Sequence, residues 1–202
     1  MKKRRVNAVV IGAGAGGGVA AKELSEAGLS VVLFERGGWV AYEDHGKDEL
    51  TAQRSFPLDC AFGPDKERYR RVYRDLNGNE RIVYPNEWDY QNNAACVGSG
   101  TVCYGAMAWR FMEEDFRMKS IYGEVEGSTL EDWPITYDDL EPYYEKAEWE
   151  IGVAGDDSKN PFAPPRRKPH PMPPFGHNRE AQVLEDAAHK LGYHPFSIPM
   201  LR

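Results

Sequence analysis

The pattern with the clearest chemical meaning is Gly12-Ala13-Gly14-Ala15-Gly16-Gly17, a GxGxxG spacing between an apolar run and a stretch of helical periodicity. Its glycines have separate tasks. Gly12 permits a tight turn, Gly14 lets backbone approach a pyrophosphate, and Gly17 lets the helix pack close to the strand. Ala15 and Gly16 fall in the first helical turn, where free N–H groups and the positive end of the helix dipole favour an anion. Glu35 closes a second apolar run, 23 residues after Gly12. A carboxylate there accepts both ribose hydroxyls of an adenosine and would repel a 2′-phosphate. The chemistry implied is the holding of a dinucleotide. Arg36 either hydrogen-bonds near the adenosine or is a surface charge.

These residues need a βαβ unit to position them. Val6 to Ile11 reads as a buried strand. Residues from about Ala15 to Ala27 read as a helix through Val19, Ala20, Glu23, Leu24 and Ala27, with Gly28 at the cap. Ser30 to Phe34 reads as the second strand, joined by a right-handed crossover. Further on, Tyr69 to Leu76 and Glu80 to Tyr84 flank Asn77-Gly78, a strong hairpin signal. Asn92 to Met107 is small and glycine-rich, which suits backbone lying close to a ligand or to another segment.

In the second half, Trp133-Pro134 marks a turn. Pro142 suits the first position of a helix. Tyr143, Tyr144, Ala147 and Ile151 share its face and Gly152 ends it. Seven of the fourteen residues from Pro161 to Pro174 are proline, so this piece is expected to be extended. Asn178 is a good N-cap for a last helix reaching Leu191, with Val183, Leu184, Ala187 and Leu191 as its apolar stripe and Gly192 as its stop.

Composition narrows the class. Of 202 residues 41% are hydrophobic and 12% aromatic, enough for a packed core. The net charge of −7 argues against a nucleic-acid partner, which requires a basic field. No apolar run approaches the length that spans a bilayer. The basic Met1-Lys2-Lys3-Arg4-Arg5 runs at once into the glycine turn, so the chain is expected to start in the fold without an export segment. Cys60, Cys96 and Cys103 have no metal-ligand spacing and are an odd number for a disulfide framework, so no metal site is expected. The motif also starts a few residues from Met1, a placement typical of flavoproteins.

The segment Val97-Gly98-Ser99-Gly100-Thr101-Val102-Cys103-Tyr104-Gly105-Ala106-Met107-Ala108-Trp109-Arg110-Phe111 resembles the flavin-contacting stretch of the glucose-methanol-choline oxidoreductases. The blocks Glu113 to Met118 and Asp132 to Tyr144 resemble the branch containing gluconate 2-dehydrogenase large subunits and FAD-dependent glucose and fructose dehydrogenases. The likeness runs from Val6 to Arg202. It implies FAD as cofactor, with Gly12, Gly14 and Gly16 facing the pyrophosphate and Glu35 holding the adenosine ribose. Gly98, Gly100 and Thr101 would flank the pyrophosphate and flavin. Tyr104, Gly105 and Ala106 would sit near the isoalloxazine. Many family members carry Asn, Trp or His around positions 103 and 104, where this chain has Cys103 and Tyr104.

The fold class expected is α/β: a Rossmann-like FAD/NAD(P)-binding fold, incomplete, with the start of a substrate domain. Residues 1–152 would form the N-terminal part of the FAD-binding domain, with a β-hairpin insertion. Residues 153–202 would be a proline-rich segment and helix leading into the remainder. The resemblance implies oxidation of a CH–OH group in a sugar, sugar acid or polyol, with hydride transfer to flavin. It places the catalytic His, and any iron–sulfur cysteines, downstream of Arg202. His45, His170, His177, His189 and His194 are therefore read as non-catalytic, and the chain alone as inactive. Alternatives are a truncated nucleotide-binding module without chemistry, an oxidase of the same family, or an NAD-dependent enzyme. The resemblance also implies a small subunit, sometimes bearing the export signal, and a cytochrome acceptor. A cytoplasmic location and a periplasmic or membrane-associated one are equally compatible with that.

Overall fold

The computed structural model describes residues 5–41, 64–85, 87, 90, 94–102 and 104–201. Cys60, Cys103 and His45 lie outside the described residues. The chain gathers into two compact units, Met1–Tyr104 and Gly105–Arg202.

In the first unit, β1 (Ala8–Ile11) and β2 (Val31–Phe34) pair in parallel, with Ala8 opposite Val31 and Ile11 opposite Phe34. Between them runs α1 (Ala15–Glu26), whose C-terminus leads to Gly28 at φ +82°. This is the predicted βαβ unit. The expectation of a buried first strand is corrected: Ala8 and Val10 are half-buried, whereas Val9 and Ile11 are exposed, Ile11 to 87%. Side chains alternate across a strand, and α1 covers only one face of this pair.

The predicted hairpin is β3 (Arg71–Arg74) and β4 (Glu80–Val83), antiparallel with Arg74 opposite Glu80. Its connection is a five-residue loop, 75–79, rather than a two-residue Asn-Gly turn. The Asp75 carboxylate explains the length. It accepts from the Asn77 and Asn79 backbone N–H groups at 2.8 and 2.9 Å, and Gly78 takes φ +86°.

The second unit contains α2 (Met118–Tyr122), α3 (Tyr137–Ile151), the short strand β5 (Val153–Ala154), α4 (Arg179–Lys190) and β6 (Met200–Leu201), which pairs antiparallel with β5. The helix expected from Pro142 starts five residues earlier. Thr136 caps it, and Asp139 reaches back to the Thr136 N–H at 2.8 Å, a complete capping box. Pro142 thus lies inside α3. The Asp138 carbonyl it leaves without an N–H partner belongs to an exposed residue, where water can take its place.

The buried face of α3 also differs from expectation. Tyr143 and Ile151 are exposed, and the buried positions are Tyr137, Glu141 and Glu148. The two glutamates are buried because arginines meet them. Arg110, its side chain 2% exposed, donates through Nε and Nη2 to Glu148 at 2.8 and 2.7 Å and through Nη1 to Glu141 at 3.3 Å. Arg166 donates to Glu148 at 2.8 Å and also pairs with Asp157, and Arg167 Nε pairs with Glu141 at 2.9 Å. Beside this cluster stands an aromatic core in which Phe116 meets Phe111, Trp133 and Tyr137. Asn178 caps α4 as predicted, accepting from the Ala181 N–H at 2.8 Å. The stripe of α4 is largely open to solvent, Leu184 to 70%. Among the described residues no helix is long and apolar enough to cross a membrane.

Candidate dinucleotide-binding site

The turn after β1 is built by glycine. Gly12 sits at φ +95°, a conformation side-chain-bearing residues rarely adopt. A Cβ at Gly17 would lie 1.8 Å from the Gly12 carbonyl oxygen and 3.4 Å from Val10 Cγ1. Glycine at 17 is what lets α1 start against the end of β1. Gly14 is the N-cap, and the first helical bond runs from the Gly18 N–H to the Gly14 carbonyl at 2.8 Å. The N–H groups of Ala15, Gly16 and Gly17 precede that bond and have no acceptor within the helix. No atom stands within 4 Å of a Cβ at Gly16, so this side of the first turn is open.

Glu35, at the end of β2, reaches back to that turn. Its Oε2 accepts the Ala13 N–H at 2.7 Å, and its Oε1 accepts the Arg36 and Gly37 N–H groups at 2.7 and 2.9 Å. The Ala13 bond, followed by that of Gly37, holds the carboxyl below the usual glutamate range. Lowered in the fold, this group contributes stability above the ordinary glutamate range, and the contribution is lost as pH falls through the depressed value. Glu35→Gln is therefore expected to weaken adenine-dinucleotide binding about tenfold at pH 7, the loss of one charge-assisted hydrogen bond. It should also flatten the acid limb of a thermal-stability profile. Titration by intrinsic fluorescence checks both.

The second glycine segment meets the first. The Gly98 N–H donates to the Ala13 carbonyl at 2.8 Å, and Gly98 takes φ +96°. A Cβ on Gly14 would come within 3.3 Å of Ser99 Cβ. A cavity of about 420 Å³ opens here, lined by Gly12, Gly14, Glu35, Arg36, Ala94 and Ser99 among others. Its lining joins the glycine turn at Gly12 and Gly14 to the Glu35 carboxylate.

The remaining predicted residues are placed less closely. Gly100 and Thr101 are exposed in a 3₁₀ turn, Ser99–Val102, and do not line the cavity. The Tyr104 N–H donates to the Gly100 carbonyl at 3.1 Å. Gly105 and Ala106 open the second unit, where Ala106 takes φ +59° and accepts the Leu201 N–H at 2.9 Å. The Arg36 guanidinium lies over the Tyr69 ring, 5.0 Å from its centroid, while Arg36 also lines the cavity.

Among the residues not foreseen at the site are the cavity-lining Ile11, Phe34, Ala94 and Ser99, and Gly37. Ser99 lines the cavity at φ +51°, a strained conformation for a non-glycine residue that no local pattern announces. A Cβ on Gly37 would lie 1.8 Å from the Ala95 carbonyl oxygen. Here there was a signal, the Gly37-Gly38 pair directly after Glu35-Arg36. Gly38 bridges in parallel to Cys96, whose thiol is buried.

Residues 10–76 match the model of an NAD(P)-binding Rossmann-like domain. Over 216 residues the sequence is 26% identical to the gluconate 2-dehydrogenase flavoprotein of Pantoea cypripedii, covering 97% of this chain and 35% of that one. Over 207 residues it is 29% identical to the fructose dehydrogenase large subunit of Gluconobacter japonicus, covering 96% and 36%. The chain is similar to the glucose-methanol-choline oxidoreductases. It spans about a third of the length of the curated relatives it matches. Among solved structures, an FAD-dependent oxidoreductase from Chaetomium thermophilum aligns at a TM-score of 0.52 and 19% identity, covering 97% of this chain and 31% of that one, a likeness of fold. The Rossmann-like α/β class expected from the glycine motif is thus shown.

Proposed function

We propose that this chain forms the FAD-binding portion of an oxidoreductase acting on CH–OH groups of a sugar, sugar acid or polyol. The observation that carries the proposal is the union of the two glycine segments, Gly98 N–H to Ala13 carbonyl, around a cavity that Glu35 closes. The free N–H groups of Ala15, Gly16 and Gly17 would hold the pyrophosphate. Glu35 would exchange part of its backbone bonding for the ribose hydroxyls, and Ser99 would shape the wall beside them. FAD, when bound, supplies the acceptor for the hydride leaving the alcohol carbon. The residues of this chain bind and orient; none of them is assigned the alcohol proton. The names of the relatives, a flavoprotein and a large subunit, support a flavin and an assembly with other chains. We extend this to a small subunit and a cytochrome as electron acceptor.

The test is direct. Purified chain is incubated with FAD or with NAD, and each is followed by gel filtration and protein fluorescence. Retention of a flavin absorbance band, with no protection by NAD, is expected. Protection by NAD alone would overturn the flavin assignment. Addition of an alcohol and an artificial acceptor should give no turnover, and turnover would show that the base lies within these 202 residues.

A further inference from the structure

The second unit holds a hydroxyl, an imidazole and a carboxylate in series. Ser197 Oγ lies 2.8 Å from His177 Nε2, and His177 Nδ1 lies 2.8 Å from Glu185 Oε2. A carboxylate can only accept, so in the neutral imidazole Nδ1 carries the proton and Nε2 presents its lone pair to the serine hydroxyl. That is the tautomer a general base needs.

The three side chains come from separate places. His177 precedes the Asn178 cap of α4, with its carbonyl held by Gln182 Nε2 at 3.3 Å. Glu185 sits in the second turn of that helix. Ser197 lies on the segment entering β6. The other Glu185 oxygen, Oε1, faces Lys159 Nζ at 3.5 Å and His189 Nε2 at 3.8 Å, which keeps Oε2 for His177. The His177 hydrogen bond is also the first cause of a Glu185 carboxyl held below the usual range.

A cavity of about 250 Å³ adjoins the relay, lined by Ser197, His177, Lys159 and Phe175 among others. This is smaller than a drug-sized site, about 300–1,000 Å³. Phe175 gives it an apolar wall for a short acyl chain, while Lys159, which faces Glu185, and Asp156 bring one charge of each sign to its lining.

We propose that Ser197, His177 and Glu185 form an acyl-transfer site for small uncharged carboxylic esters, independent of the dinucleotide site. Ser197 Oγ attacks the ester carbonyl carbon while its proton passes to His177 Nε2. The carbon–oxygen bond to the alcohol then breaks, and His177 returns the proton to the departing oxygen. Water, losing a proton to His177, attacks the acyl-serine and releases the acid, and Ser197 regains its proton. Ser197 and His177 are the catalytic residues, and Glu185 is a positioning residue.

The test is labelling of the full chain with a fluorophosphonate probe and mass mapping, alongside hydrolysis of p-nitrophenyl acetate. One adduct, on Ser197, is expected, together with a burst of nitrophenol that Ser197→Ala abolishes. His177→Gln should slow labelling about a hundredfold. Because His177 also orders the chain before α4, Glu185→Gln is the second variant. Its amide oxygen still accepts from Nδ1, so circular dichroism should be unchanged while labelling slows at least about tenfold. Glu185→Asp should recover part of the rate. An absent adduct, an adduct elsewhere, ester hydrolysis unchanged in Ser197→Ala, or a Glu185→Gln rate equal to the parent would each overturn the proposal.

Discussion

Replacing Arg110 by Met is expected to destabilise the second unit by about 3–5 kcal/mol, the range for breaking a buried ion pair from one side. Met keeps most of the packing volume and removes the charge, so the loss is electrostatic. The guanidinium is 2% exposed and makes two bonds to Glu148, one to Glu141 and one to the Tyr137 hydroxyl at 2.9 Å. Without it, Glu148 keeps Arg166 and Glu141 keeps Arg167, yet three arginines facing three carboxylates become two facing three. Burial, which would raise the carboxyl of Glu148, is outweighed by its bonds to Arg110 and Arg166, so this group is held below the usual glutamate range. Losing Arg110 removes much of that support and leaves charge in a poorly hydrated place. Urea denaturation followed by tryptophan fluorescence reads the change, and Glu148→Gln in the Arg110→Met background should recover part of it. A loss under about 1 kcal/mol would mean that the site relaxes to admit water.

The second large effect is expected at Gly17. A Cβ there would sit 1.8 Å from the Gly12 carbonyl oxygen, a backbone atom that cannot swing aside as a side chain can. Gly17→Val must displace the start of α1 from β1, and overpacking of this kind costs about 1–3 kcal/mol. The N–H groups of the first turn move with it, so dinucleotide binding should weaken by about ten- to a hundredfold or more. Gly18→Ala is the control. Nothing lies within 4 Å of a Cβ at Gly18, and Ala in a helix is favoured over Gly by about 0.5–1 kcal/mol. It should raise the melting temperature and leave binding unchanged. Paired thermal melts and FAD titrations of the two variants separate steric displacement from a general intolerance of the glycine run.

The contrast between Gly17 and Gly18 shows where local reading ends. Both are helical glycines in one sequence run, and the motif spacing distinguishes them correctly because the close approach of strand and helix recurs wherever this turn is built. Ser99 shows the opposite. Its φ of +51° and its place in the cavity wall follow from how the segment 94–102 lies against the first turn, a contact between residues more than eighty positions apart. Glu35 stands between these cases. Its position at the end of β2 was legible from the strand pattern. Its bond to the Ala13 N–H was not, because that depends on the parallel register that sets Ile11 opposite Phe34.

Local pattern alone determined the βαβ unit, the hairpin at 71–83, the Asn178 cap and the dinucleotide motif. Each rests on contacts between near neighbours, or on a turn whose φ only glycine readily supplies. The tertiary structure decided which face of each element is covered. Tyr143, Ala147 and Ile151 follow a helical stripe, yet α3 buries Tyr137, Glu141 and Glu148, because Arg110 and Arg166 converge on it from distant segments. A charged residue can occupy a core position only when its partner is brought there, and periodicity records nothing about partners. The same holds for Ser197, His177 and Glu185. Each is unremarkable in its own stretch of chain, and only the packing of α4 against the segment entering β6 sets them in hydrogen-bonded order.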